Sequence, residues 1–114
     1  MNPTTMTSVT NFWADLPSGS DGEEVFEEIL KSENVRIERI ISSGQISPEN
    51  FWYDQPENEW VILLQGEAII GFADGVETRL KNGDFLFLPA HQKHRVLYSS
   101  KEPPCIWLAV FWKT

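Results

Sequence analysis

The chain has 114 residues, a single cysteine and a formal net charge of -8, from 17 acidic against 9 basic residues. That length suits one domain with a core of its own, and the lone Cys105 excludes an internal disulfide. Without a cluster of Lys or Arg, binding to a phosphate backbone is excluded and an anionic membrane surface is disfavoured; no apolar run approaches the roughly 20 residues of a membrane-spanning helix.

The N-terminal stretch MNPTTMTSVTNFW lacks the basic-then-apolar pattern of a secretory signal, so a cytoplasmic location is expected. Residues 1–24 read as a Thr-, Ser-, Gly- and Pro-rich lead-in packing on the domain that follows, with Phe12, Trp13 and Leu16 as anchors. Residues 25–114 read as the domain itself. Val25–Leu30 is either a short strand or one helical turn. Val35–Ser42 alternates, with Val35, Ile37 and Arg39 on one face and Arg36, Glu38 and Ile40 on the other, which is strand periodicity. Gly44–Asn50 is a turn region. Trp60–Leu64 and Ala68–Phe72 are apolar runs, the second closed by Asp74-Gly75, a pair that tolerates hairpin geometry. Val76–Leu80 follows, then an Asn82-Gly83 turn, then Phe85–Leu88 stopped by Pro89. His94–Tyr98 and Ile106–Trp112 complete the set, the latter entered through Pro103-Pro104. Short strands at this spacing, with turn residues between them, predict an all-β sandwich or barrel. Cys105 opens the apolar run CIWLAVFW and reads as a buried small hydrophobe.

Alternation also sorts the polar residues. If Glu59 faces inward, Val61 and Leu63 do too; Tyr53 and Gln55 share its parity. His94 shares a face with Val96 and Tyr98. Should the two strands neighbour each other, Glu59 and His94 meet in the barrel interior. A carboxylate beside an imidazole suits a divalent transition metal and equally suits a general acid/base pair. His91 and His94 are separated by a turn rather than set along a helix, which places His91 in a loop at the pocket mouth. Trp60–Leu64 and Ile106–Trp112 are apolar on both faces, so both faces are covered. The outer cover is the lead-in or a second copy of the chain.

Two stretches, YDQPENEWVILLQG and GDFLFLPAHQKH, carry a resemblance to the cupin superfamily. Glu59, six residues, then Gly66 matches the end of the first cupin motif, and Gly44 stands as its first Gly. Gly83, Pro89 and His94 fall at the spacing of the second motif. The resemblance spans roughly residues 35–112 and implies a single-domain jelly-roll β-barrel, or double-stranded β-helix. It departs at telling positions. Tyr53 and Gln55, or Trp52 and Asp54 in the other register, replace the His-x-His pair; His91 fills a Gly slot and Tyr98 an Asn slot.

The resemblance implies a small-molecule ligand in the barrel. It also implies a divalent metal (Zn, Ni, Mn or Fe) held by Gln55, Glu59 and His94, with Tyr53 as a further oxygen donor and His91 as a substitute. Contacts to the ligand are expected from Tyr53, Gln55, His91 and Tyr98, and catalytic roles from His94, Tyr53 and Glu59. His91 has the further role of gate or proton carrier. Two metal-free alternatives stand beside this reading: a sensor or binding barrel without turnover, and an acid/base isomerase or epimerase pairing His94 with Tyr53 or Tyr98. A homodimer through an outer sheet face is expected, and no partnership with nucleic acid or membrane.

Overall fold

The computed structural model describes residues 9–16 and 23–114. Eight strands follow in order: β1 (Val25–Lys31), β2 (Val35–Ser42), β3 (Asn58–Gln65), β4 (Glu67–Phe72), β5 (Glu77–Lys81), β6 (Phe85–Leu88), β7 (His94–Ser99) and β8 (Cys105–Trp112). Val25–Leu30 is therefore a strand and not a helical turn, while Val76 belongs to the turn before β5. A five-stranded antiparallel sheet runs β1-β2-β8-β3-β6 and faces a three-stranded sheet ordered β5-β4-β7. Every pairing is antiparallel, and the two sheets form the jelly roll expected from the sequence. No helix among the described residues is long and apolar enough to cross a membrane.

The inner faces follow the alternation. Val61 and Leu63 of β3, Ala68 and Ile70 of β4, and Cys105, Trp107, Ala109 and Phe111 of β8 are all buried in one cluster. Cys105 is a free thiol inside it, as its apolar setting predicts. Fully burying a side chain such as Leu63 stabilises the fold by about 1.5–3 kcal/mol.

Gly66 joins β3 to β4 with φ of +104°, and a Cβ there would lie 2.9 Å from the Cys105 Cα and 2.8 Å from the Ser100 Oγ. Only glycine satisfies both the left-handed backbone and the close approach.

The free edge of β7 is not left bare. The loop before β3 runs along it: Ser47 N–H donates to the Val96 carbonyl, and Tyr53 and His94 exchange backbone hydrogen bonds of 2.8 and 3.2 Å. Covering this edge satisfies its backbone groups and blocks edge-to-edge pairing. The same contacts explain why the long loop, which contains two prolines, lies in one place.

Part of the lead-in docks on the outer face of β2. Arg39, only 6% exposed, pairs with Glu27 at 2.7 Å and donates to the Phe12 and Ala14 carbonyls. Phe12 is half-buried there, whereas Trp13 and Leu16, the other expected anchors, stay exposed. The rest of the expected lead-in, residues 1–8 and 17–22, lies outside the described residues.

Candidate functional site

One end of the barrel holds a cavity of about 270 Å³. Glu59 enters it from β3 and His94 from β7. These strands belong to opposite sheets and are not neighbours, so the two side chains meet across the cavity rather than along a ladder. His94 Nε2 lies 3.9 Å from Glu59 Oε1, and the two residues are 6% and 7% exposed. That gap is too long for a direct hydrogen bond and leaves an acid and a base facing each other.

The protonation of His94 follows from its other nitrogen. Nδ1 is 2.9 Å from the Gln92 carbonyl, which can only accept, so Nδ1 carries the proton and Nε2 offers its lone pair to the cavity. Burial lowers the His94 pKa below its ordinary value, against the raising effect of that backbone bond. Glu59 moves the opposite way. Burial pushes its pKa up to about 7, the Glu38 and Glu57 charges adding to the rise while the hydrogen bond from Gln55 and the Arg36 charge oppose it. Near neutrality this site therefore holds a carboxyl that can give or take a proton and an imidazole that accepts one.

Tyr53 and Gln55 stand where the loop meets β7. The Tyr53 ring stacks on that of His94 at 5.3 Å between centroids, and its hydroxyl donates to Glu24 at a long 3.5 Å. Burial, and then the Glu24 charge, push the Tyr53 pKa up to about 12, so it is a donor and not a base at neutral pH. Gln55 Nε2 donates to Glu59 Oε1 at 3.1 Å and so orients the carboxyl.

Two expected site residues lie apart from this group. His91 is set by its backbone, with φ of +63°, which explains why the related motif has a glycine at this position. Its N–H donates to the Gln55 carbonyl, and its side chain, 68% exposed, meets Asp54 at 2.9 Å outside the cavity. Tyr98 was expected on the His94 face. A bulge at Leu97, where the pairing jumps from Ile70–Val96 to Ile69–Tyr98, reverses the alternation and turns Tyr98 outward, 42% exposed.

Three cavity residues were not singled out from the sequence. Arg36 and Glu38 share an inner face with Ile40, and that common parity was legible; its inward direction was not. Arg36 lies over the Phe111 ring at 4.1 Å, donates to Glu38 at 2.9 Å and reaches both Glu57 oxygens at 2.9 and 3.1 Å. Glu24, just before β1, accepts from Ser42 and Tyr53, and burial raises its pKa. No local pattern marks Glu24, because it sits at the end of a loop-like run.

The donor set does not fit a metal held as the resemblance implies. Glu59 and His94 supply one carboxylate and one imidazole, and Gln55 adds a neutral amide whose nitrogen is already turned to Glu59. The positions of the paired histidines hold an aromatic and an amide, which bind divalent ions weakly. Among the described residues no three His, Cys, Asp or Glu side chains group in a way that could hold a metal ion.

Two antiparallel sheets closing on a cavity at one end define a jelly-roll barrel. The model of the cupin domain matches residues 39–111, and the chain belongs to the cupin family. It is similar to the structure of a candidate mannose-6-phosphate isomerase from Ralstonia eutropha, with 41% identity, a TM-score of 0.87, and coverage of 94% of this chain and 99% of that one. A cupin superfamily protein from Desulfitobacterium hafniense shares 22% identity at a TM-score of 0.67, covering 81% and 79%. An RmlC-like cupin from Shewanella frigidimarina shares 18% at 0.68, covering 83% and 80%. The last two show the fold alone. No curated protein is detectably similar to the chain.

Proposed function

We propose that this cupin binds a small molecule in its barrel cavity and moves a proton on it with the Glu59–His94 pair, without a metal. One observation carries the reading: a buried carboxyl and a neutral imidazole Nε2 face each other 3.9 Å apart across a cavity. One group donates and the other accepts, which is the requirement for isomerisation or epimerisation next to a carbonyl. Tyr53 stacks on His94 and fixes the ring, and Gln55 fixes the carboxyl. The volume is equivalent to roughly nine water molecules, which suits a ligand of about ten non-hydrogen atoms. The name of the Ralstonia eutropha protein supports isomerase chemistry of this general kind.

The test is solvent exchange. The purified protein, treated with chelator, is incubated in D2O with a panel of aldoses, ketoses, amino sugars and small keto acids. Proton NMR then follows the C–H groups beside the carbonyl. Loss of one C–H signal from at least one compound is expected, and Glu59→Gln or His94→Gln abolishes it. No exchange from any compound overturns proton transfer and leaves the binding barrel without turnover. Exchange that appears only when a divalent metal is restored, with a metal content near one per chain, overturns the metal-free assignment.

We further propose that the protein works as a homodimer through the outer face of its five-stranded sheet. Trp60 packs on Phe85 at 5.5 Å between centroids and Phe87 on Trp112 at 5.9 Å, yet Phe85 and Phe87 remain 65% and 52% exposed. An aromatic patch of this kind is ordinarily covered. Light scattering at micromolar concentration tests it: a dimer that dissociates on Phe85→Lys is expected, and a wild-type monomer contradicts it. A cytoplasmic site of action belongs to the same reading, supported by the single thiol and the lack of any disulfide partner for Cys105.

A further inference from the structure

The charge of the cavity wall carries a statement about what fills it. Three carboxylates line the cavity, from Glu24, Glu38 and Glu59, against one guanidinium, from Arg36. That guanidinium is already engaged. Its Nε is held by Glu38, its Nη1 by both oxygens of Glu57, and one of its faces by the Phe111 ring. Arg36 therefore balances Glu38 and Glu57, with Nη2 as the one nitrogen that has no partner among the described residues.

Glu24 and Glu59 are in a different position. All nine Lys and Arg residues of the chain lie within the described part, and none of them pairs with either carboxylate. Among the described residues Glu24 has only the Ser42 and Tyr53 hydroxyls as donors. Glu59 has only the Gln55 amide, on Oε1, with His94 beyond hydrogen-bond distance; its Oε2 has no hydrogen-bond partner among the described residues. Glu59 is 7% exposed and lines the cavity. Buried carboxylates are ordinarily paired, because desolvating an unpaired charge is costly. Here no described side chain supplies a cation: Glu59 instead holds its proton up to about pH 7, and a cation in the cavity would favour the ionised form both of Glu59 and of the half-buried Glu24.

The remaining wall is aromatic and aliphatic, with Phe26, Tyr53 and Trp107 beside Ile40, Val61 and Leu88. Such a wall favours a soft, weakly hydrated cation over a strongly hydrated anion. A phosphorylated sugar would bring a charge of about two to a wall where three carboxyls stand against one guanidinium.

We propose that the cavity takes a small organic cation, an amine or quaternary ammonium compound of about ten non-hydrogen atoms or fewer, whose positive nitrogen is received by Glu24 and Glu59. This rests on the reading of the cavity as the ligand site. It does not rest on proton transfer, so the two are tested separately.

The experiment is titration calorimetry on the full chain with matched probes: choline against its uncharged dimethylbutanol isostere, and cyclohexylammonium against cyclohexanol, with mannose 6-phosphate as the anionic comparator. At least one cation is expected to bind about tenfold or more tighter than its neutral match, the factor a single well-placed charge interaction supplies. Glu24→Gln and Glu59→Gln, each verified as folded by its melting curve, bring that ratio to within about twofold. The wild-type ratio stands as a readout even where a variant fails to fold.

Equal or tighter binding of the neutral probes overturns the assignment and leaves the cavity as a ligand site of another chemistry. Preferential binding of mannose 6-phosphate overturns it in favour of an anion site. Failure of every probe to bind overturns it too, while solvent exchange still decides the proton-transfer reading on its own.

Discussion

The two ends of the barrel treat polar groups in opposite ways. At the closed end, Leu63, Ala68 and Cys105 are fully buried and Leu80 nearly so, and each polar atom among them is satisfied by the protein. Ser100 Oγ accepts from Glu67 N–H at 3.1 Å and donates to the Pro103 carbonyl at 2.7 Å, while the Cys105 thiol donates to the Glu67 carbonyl at 3.1 Å. At the open end, the buried Glu59 and the half-buried Glu24 have no cationic partner among the described residues, and His94 turns an unprotonated nitrogen toward the cavity. One end specifies the fold, because nothing there remains to be satisfied. The other keeps groups that the protein leaves open to the cavity, where the proposed ligand would meet them. A protein can lose its paired histidines at the open end and keep its barrel, since the closed end does not depend on them.

Substitutions separate the two ends, and the largest effect belongs to the closed one. Gly66→Ala forces a Cβ against the Cys105 backbone at a left-handed φ, and a loss of about 4 kcal/mol in chemical denaturation is expected from strain and overpacking together. A loss below about 1 kcal/mol would show that the junction yields more easily than its contacts imply. Leu63→Ala comes next, with about 3 kcal/mol lost to the cavity it leaves. Ligand binding at the open end is expected to survive it, and coupled loss of both would mean the ends are not independent.

Glu59→Gln has the opposite sign. The Glu59 pKa is raised in the folded protein to about 7 from an ordinary 4.5. Between those values the unfolded chain has released this proton and the folded chain keeps it, so wild-type stability falls as pH rises through the window. The full fall from this group is roughly 3 kcal/mol, complete above pH 7. Gln removes it, so the variant gains on the wild type between pH 4.5 and pH 8. The slopes from Glu24 and His94 are common to both proteins and cancel in the difference. A constant difference across that range would place Glu59 in a solvated setting.

His91→Gly is expected to do least. It relieves a left-handed backbone but adds freedom to the unfolded chain and loses an exposed contact to Asp54, leaving a net change within about 1 kcal/mol. Solvent exchange is unchanged by it. A marked loss of exchange would bring His91 back into the site as the proton carrier that its position near the mouth suggested.

The barrel itself was largely legible in the sequence. Gly66, Gly83 and Pro89 punctuate the strands, and the inward set of Glu59, Val61 and Leu63 follows from parity alone. Legibility failed where geometry departs from regular alternation. The bulge at Leu97 turned Tyr98 outward, and a bulge leaves no mark in composition. Glu59 and His94 were expected to meet as strand neighbours; they meet because the two sheets face each other. Glu24 was invisible because its role depends on Tyr53 and Ser42, distant in sequence. Arg36 was visible as an inner-face charge only once the direction of β2 was known. The first-motif substitutions at Tyr53 and Gln55 were plain from the start, but their consequence, an aromatic ring on His94 and an amide on Glu59, required the fold.

The pairing of a proton-holding carboxyl with a neutral imidazole is the central claim, and the carboxyl can be observed directly. Carbon-13 NMR of the Glu59 side-chain carboxyl, from pH 4 to pH 9 in chelator-treated protein, is expected to show a midpoint near 7, as its burial requires. A midpoint near the ordinary 4.5 would contradict the account, because Glu59 would then be fully ionised at neutral pH and could not share a proton with His94.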